Sequence, residues 1–166
     1  MTNKIIGIQG DKLDKINISS DTSIFLAHEA QKLGYKIFYY TPSNLSIIKN
    51  KTYANGVFVK LNYGRKKFYK IYKKQKIDVE NLKFILIRQD PPFNSEYLIT
   101  TLILDDLKKT RVINNPVAIR NVSEKLYSKK FTKYMPDTIF SNNIDEIRKF
   151  FNKNKNIVMK PINGYG

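Results

Sequence analysis

Residues 84–87, Phe-Ile-Leu-Ile, run straight into Arg88, Gln89, Asp90, Pro91 and Pro92. This junction constrains the fold more than any other stretch. A short, continuous, β-branched apolar run suits a strand covered on both faces, as in a parallel sheet. Pro91 and Pro92 lack backbone N–H groups and fix φ, so neither a helix nor a ladder continues through them, and Asp90 is held extended by the proline after it. Arg88 then stands at the carboxyl end of the strand. In open α/β sheets ligands bind in the crevice outside those ends, although a sharp stop with Arg88 reaching solvent fits the same residues.

The pattern recurs along the chain. A first strand is expected over Lys4 to Gln9, followed by the polar loop GDKLDKINISS, long for a βα connection. Ser20 or Asp21 caps a helix running to about Leu33, with Ile24, Phe25, Ala27, His28 and Leu33 as its buried stripe and Gly34 as its stop. KIFYY, residues 36–40, is the second strand, which makes the opening a right-handed βαβ unit. The middle differs in kind. TYANGVFVKLNYGRKKFYKIYKK alternates apolar and polar residues around Asn55-Gly56 and Asn62 to Gly64, which predicts hairpin strands with a lysine-rich edge.

Parallel character then resumes. Asn94 caps a helix from Ser95 to Leu107, with Leu98, Ile99, Leu102, Ile103 and Leu107 at helical spacing. RVINNP is a short strand, and two short helical pieces follow, the second capped by Ser123. After Pro136 the spacing predicts a strand over Thr138 to Phe140, a helix capped by Asn143 with Glu146 completing a capping box, and a final strand, NIVMK. The fold class is α/β, a doubly wound, mostly parallel sheet.

Composition narrows function by exclusion. There is no cysteine, so disulfides, thiol nucleophiles and thiolate metal sites are ruled out. No stretch approaches the roughly 20 apolar residues of a membrane helix, and the apolar stretch at the start is too short for a signal peptide; a cytoplasmic location is expected. The formal charge of +16 would by itself point to a polyanion. Its source, however, is 25 Lys against 5 Arg, alongside 17 Asn and 22 Ile, a bias that AT-rich codons produce at any tolerant surface position. A phosphate- or base-reading surface would use more arginine, so solvated surface is preferred over a nucleic-acid site.

Catalytic machinery is not visible. The single His28 lies on a helix face, Asp105 and Asp106 read as a solvated helix end, and no Asp, Glu and His have metal-site spacing. The segment IVMKPINGYG ends in Lys160, a proline and a turn containing Gly164 and Gly166. Such a turn can present backbone N–H groups to phosphate beside a lysine charge, but it is not a Walker loop.

Five blocks carry a resemblance: IQGDKLDKINISSDTS, AHEAQKLGYKIFYYTP, ILIRQDPPFN, VINNPVAIRNVSEKL and IVMKPINGYG. Their content and order resemble prokaryotic glutathione synthetase, an ATP-grasp carboxylate-amine ligase, through essentially the whole chain; other ATP-grasp ligases share the KP-and-glycine segment but not RQDPPF. The resemblance implies ATP-dependent ligation of glycine to γ-glutamylcysteine through an acyl phosphate, with Mg2+ as cofactor. It implies an N-terminal domain over residues 1–122 and the beginning of an ATP-grasp domain over 123–166. It makes Lys125 and Lys160 nucleotide-phosphate lysines and Gly164 and Gly166 part of the loop over the triphosphate. Arg88 becomes a cation for a substrate carboxylate, with Asp11 and Asn17 of the first loop as further substrate-binding candidates. A homotetramer is implied as well.

Two departures concern the first loop. Lys12 follows Asp11 where the family usually has proline, and Ser19 follows INI where it has lysine. Asn94 also stands where aspartate is common after DPPF. The metal ligands, adenine pocket and glycine site of the family are expected beyond residue 166, so the chain is read as a fragment of a longer synthetase that is inactive alone. A short ligand-binding or subunit-interaction module is the alternative, and a basic nucleic-acid binder ranks below both.

Overall fold

Strand β1 (Ile5–Gln9) forms the centre of a seven-stranded sheet in a computed structural model that describes residues 4–65 and 67–164. It pairs in parallel with β2 (Lys36–Tyr40) on one side and β6 (Phe84–Ile87) on the other, and β6 pairs in parallel with β7 (Arg111–Ile113). Beyond β2 the sheet turns antiparallel through β4 (Lys51–Leu61), which also pairs with β3 (Leu45–Ile48) and β5 (Tyr69–Asp78). The expected α/β class with its parallel centre is therefore present, extended by an antiparallel wing.

Period-two alternation puts a core on each face. Ile6, Ile8, Ile37, Tyr39 and Val59 point to one face, where Ile24 and Ala27 of α1 (Thr22–Lys32) cover them. Phe38, Tyr40, Ile85 and Ile87 point to the other, under Leu104 of α2 (Ser95–Asp105). Each fully buried isoleucine stabilises the fold by about 1.5–3 kcal/mol through leaving water. Both helices start where their caps predict: Asp21 accepts from Ile24 N at 2.8 Å and Asn94 from Tyr97 N at 3.0 Å. The next two helices, α3 (Pro116–Asn121) and α4 (Ile144–Asn154), are capped by Asn115 and Asn143.

Several local expectations are corrected. Asn55-Gly56 is not a turn but lies inside β4. The turn signal is overridden because a Cβ at Gly56 would sit 2.5 Å from Phe38 Cζ and 2.6 Å from the Tyr39 carbonyl oxygen; the glycine is there for close packing. The tight turn instead falls at Lys49-Asn50, both left-handed, joining β3 to β4. Leu33 is 71% exposed, and the buried residues of α2 are Thr100, Thr101 and Leu104, leaving Ile99 and Leu102 about half exposed. No strand forms at Thr138 to Phe140 or at 156–160 among the described residues, and Val158 stands 83% exposed. The Glu146 carboxylate pairs with Lys149 at 2.8 Å, and the Asn143 N–H goes to Ser141 Oγ, so the reciprocal half of the capping box is not made.

Candidate functional site

The carboxyl ends of β1, β2 and β6 lie side by side and bring a group of polar residues together. Arg88, directly after β6, donates its backbone N–H to the Gln9 carbonyl at 2.7 Å, which fixes where its side chain starts. That side chain reaches the first turn of α1: Nε donates to Ser23 Oγ at 2.9 Å and Nη2 to Thr22 Oγ1 at 2.7 Å. No carboxylate among the described residues pairs with it. A half-buried guanidinium held by neutral hydroxyls keeps its full charge and free N–H groups for an anion.

The first loop closes one side. Asp11 accepts from the Asp90 backbone N–H at 2.9 Å, and its own carbonyl accepts from Tyr39 Oη at 2.7 Å. Asn17 Oδ1 accepts from Ser19 Oγ at 2.7 Å and Ser19 N at 3.2 Å, a local turn. Both side chains thus hold loops in place in this structure. Carboxylates remain a strong local influence: burial first, then Asp11, Asp21 and Asp90, raises the Tyr39 phenol well above its ordinary value. Tyr97 is raised by burial, with Arg88 opposing and Asp11 and Asp90 reinforcing.

Below the strand end, the fully buried Gln9 donates Nε2 to Gln89 Oε1 and, at 3.5 Å, to Thr100 Oγ1. Gln9, Thr22, Ser23 and Tyr97 are site residues that sequence reasoning missed. The hydroxyls at the helix start read as capping groups, and nothing local announces an arginine 65 residues away.

The glycine turn meets this group of residues. Phe93 N donates to the Asn163 carbonyl at 2.9 Å, tying the loop after the prolines to the turn. Lys125 is largely buried and donates Nζ to the Gly164 carbonyl at 2.6 Å, with Glu124 at 3.4 Å. Lys125 and Gly164 are therefore brought together, whereas Lys160 is exposed and makes no hydrogen bond or ion pair among the described residues. Gly166 lies outside the described residues. A lysine ammonium carries three donors, so Lys125 can keep its carbonyl and still offer charge to a phosphate. Among the described residues no group of three or more His, Cys, Asp or Glu side chains could hold a metal ion, so they do not by themselves fit magnesium. Nor is any helix among them long and apolar enough to cross a membrane.

Comparison with known proteins gives two family matches: residues 5–120 match "Prokaryotic glutathione synthetase, N-terminal domain", and residues 124–166 match "Prokaryotic glutathione synthetase, ATP-grasp domain". The chain is similar to the glutathione synthetase of Buchnera aphidicola subsp. Acyrthosiphon pisum, 36% identical over 97% of this chain and 51% of that protein. It is similar to that of Agrobacterium fabrum at 34% over 98% of this chain and 51% of that protein. With that of Salmonella typhimurium it shares 33% identity over 97% of this chain and 52% of that protein. The chain spans about half the length of these curated relatives.

Proposed function

Because the chain belongs to the prokaryotic glutathione synthetase family, we propose that its residues supply the γ-glutamylcysteine side of a ligase that joins glycine to that dipeptide using ATP. The observation that carries this reading is Arg88, a half-buried cation held by Thr22 and Ser23 without a carboxylate partner. A dipeptide carboxylate would complete its hydrogen bonds with two parallel contacts. Lys125 and Lys160 are assigned to the nucleotide phosphates and Gly164 and Gly166 to the loop beside them, a reading supported by the Lys125–Gly164 contact. Asp11 and Asn17 are assigned to shaping the substrate wall through the loop they hold. The domain junction is placed at 122/123, with a cytoplasmic, homotetrameric enzyme as the working assembly.

Isothermal titration of the 166-residue chain with γ-glutamylcysteine tests the central claim. Arg88→Ala is expected to weaken binding by about tenfold or more, from the roughly 1.5–3 kcal/mol of a charge-assisted contact; equal affinity of variant and parent overturns it. We further propose that residues 1–166 alone do not turn over. ATP- and glycine-dependent phosphate release from this chain would contradict that.

A further inference from the structure

A cleft of about 570 Å3 lies between the first loop and the β4–β5 ribbon, bordered by Lys12, Asn44, Asn55, Lys74 and Lys76. Its walls follow from the register. Val57 packs on the α1 side of the sheet, and Lys74 stands directly opposite it, with Lys76 opposite Asn55 two residues along. Both lysines therefore rise on the α1 side. Lys73 is opposite Phe58, which belongs to the other core, and Lys70 is opposite Lys60, so these two point away.

The loop side is fixed as well. Leu13 is buried in the α1-side core, and Tyr39 Oη holds the Asp11 carbonyl at 2.7 Å, so Lys12 between them is presented from an anchored backbone. None of Lys12, Lys74 and Lys76 has an ion-pair partner among the described residues, and Asp14 is the single carboxylate in the lining. Three lysines against one aspartate, with the three amides of Asn44, Asn55 and Gln75, form a concave lining of net positive charge. Arginine is the commoner bidentate reader of phosphate across a surface, but lysines gathered in one concave place bind phosphoryl oxygens as point charges with three donors each.

We propose that this cleft is an anion site for a small diphosphate group, sharing the first-loop and Tyr39 wall with the Arg88 site but using other side chains, distinct from the Lys125 turn, and recruited in this chain by Lys12 in the first loop. It does not depend on the ligase reading.

The test is titration of the whole chain with inorganic pyrophosphate, followed by calorimetry and by amide shifts of residues 12–14 and 74–76. Lys74→Ala/Lys76→Ala is expected to weaken binding about tenfold, the product of two partly exposed charge contacts. Lys70→Ala/Lys73→Ala removes the same charge from the opposite face and is expected to leave affinity within about twofold. Equal losses in the two double variants would reduce the cleft to general basic surface, and amide shifts at residues 160–164 without shifts at 12–14 and 74–76 would move the binding to the glycine turn. Either result, or the absence of saturable binding, overturns the proposal.

Discussion

Glu80 clamps the connection between α2 and β7 and offers a quantitative check on the fold. Its Oε1 accepts from Lys108 N at 2.7 Å, and its Oε2 accepts from Lys109 N at 2.8 Å and Thr110 N at 2.9 Å. Lys108 and Lys109 are exposed, so water can replace the carboxylate there, but Thr110 is only 5% exposed and its N–H would be left dry. Glu80→Ala is expected to cost about 2–3 kcal/mol, mostly the unsatisfied Thr110 donor and the lost charge assistance. Glu80→Gln keeps one acceptor but turns an NH2 toward a donor, and is expected to cost about half as much. Burial pushes the Glu80 carboxyl up, but the three backbone N–H groups and Lys109 outweigh it, leaving it below its ordinary value. A depressed carboxyl contributes stability above its unfolded-state pKa and loses it as pH falls through the folded value. Urea unfolding followed by circular dichroism at pH 7 and near pH 3 should therefore show a parent–variant gap that narrows in acid. A gap under about 0.5 kcal/mol at pH 7, within the usual range for plain surface substitutions, or one unchanged near pH 3, refutes the reasoning.

Other outcomes follow from the same geometry. Gly56→Ala drives a methyl into Phe38 and the Tyr39 carbonyl and should destabilise by about 2–3 kcal/mol, measured by the same unfolding assay. Tyr40 Oη is buried without a hydrogen-bond partner among the described residues, so Tyr40→Phe should be neutral or stabilising by about 1 kcal/mol. Burial raises the phenols of both Tyr39 and Tyr40. Their stabilisation is complete below about pH 10 and falls as pH rises toward the folded values; Tyr40→Phe should flatten that alkaline decline. Ser23→Ala frees Arg88 Nε from its anchor and should weaken γ-glutamylcysteine binding by about twofold to tenfold, less than Arg88→Ala; equal losses would mean that the arginine works only in that one pose.

The parallel centre was legible because its signals are local: β-branched runs, caps at Asp21 and Asn94, and prolines that end β6. The antiparallel wing was legible as alternation but not in its turns. Asn55-Gly56 looks like a hairpin apex, yet Phe38 from another strand occupies the space a side chain would need, while Lys49-Asn50 turns without a glycine. Helix faces were misread for a related reason. In α2, Thr100 and Thr101 satisfy their hydroxyls on the carbonyls of Tyr97 and Leu98 and can be buried, so the more apolar Ile99 and Leu102 face out. Arg88 was placed correctly at its strand end, but its anchors were not, because a hydroxyl carries no sign of the distant cation it will hold.

The outer edge of β5 pairs with no strand among the described residues, and it carries Lys70, Lys73, Lys74 and Lys76. Strands in a ladder lie about 4.8 Å apart, so two such edges could meet only by bringing these lysines together. At low ionic strength their repulsion acts over tens of ångströms, but near 1 M salt the screening length falls to about 3 Å, shorter than the strand spacing. The lysines of β5 thus act as an electrostatic guard on the open edge of the sheet, and salting should promote edge-to-edge association well before it loosens either core.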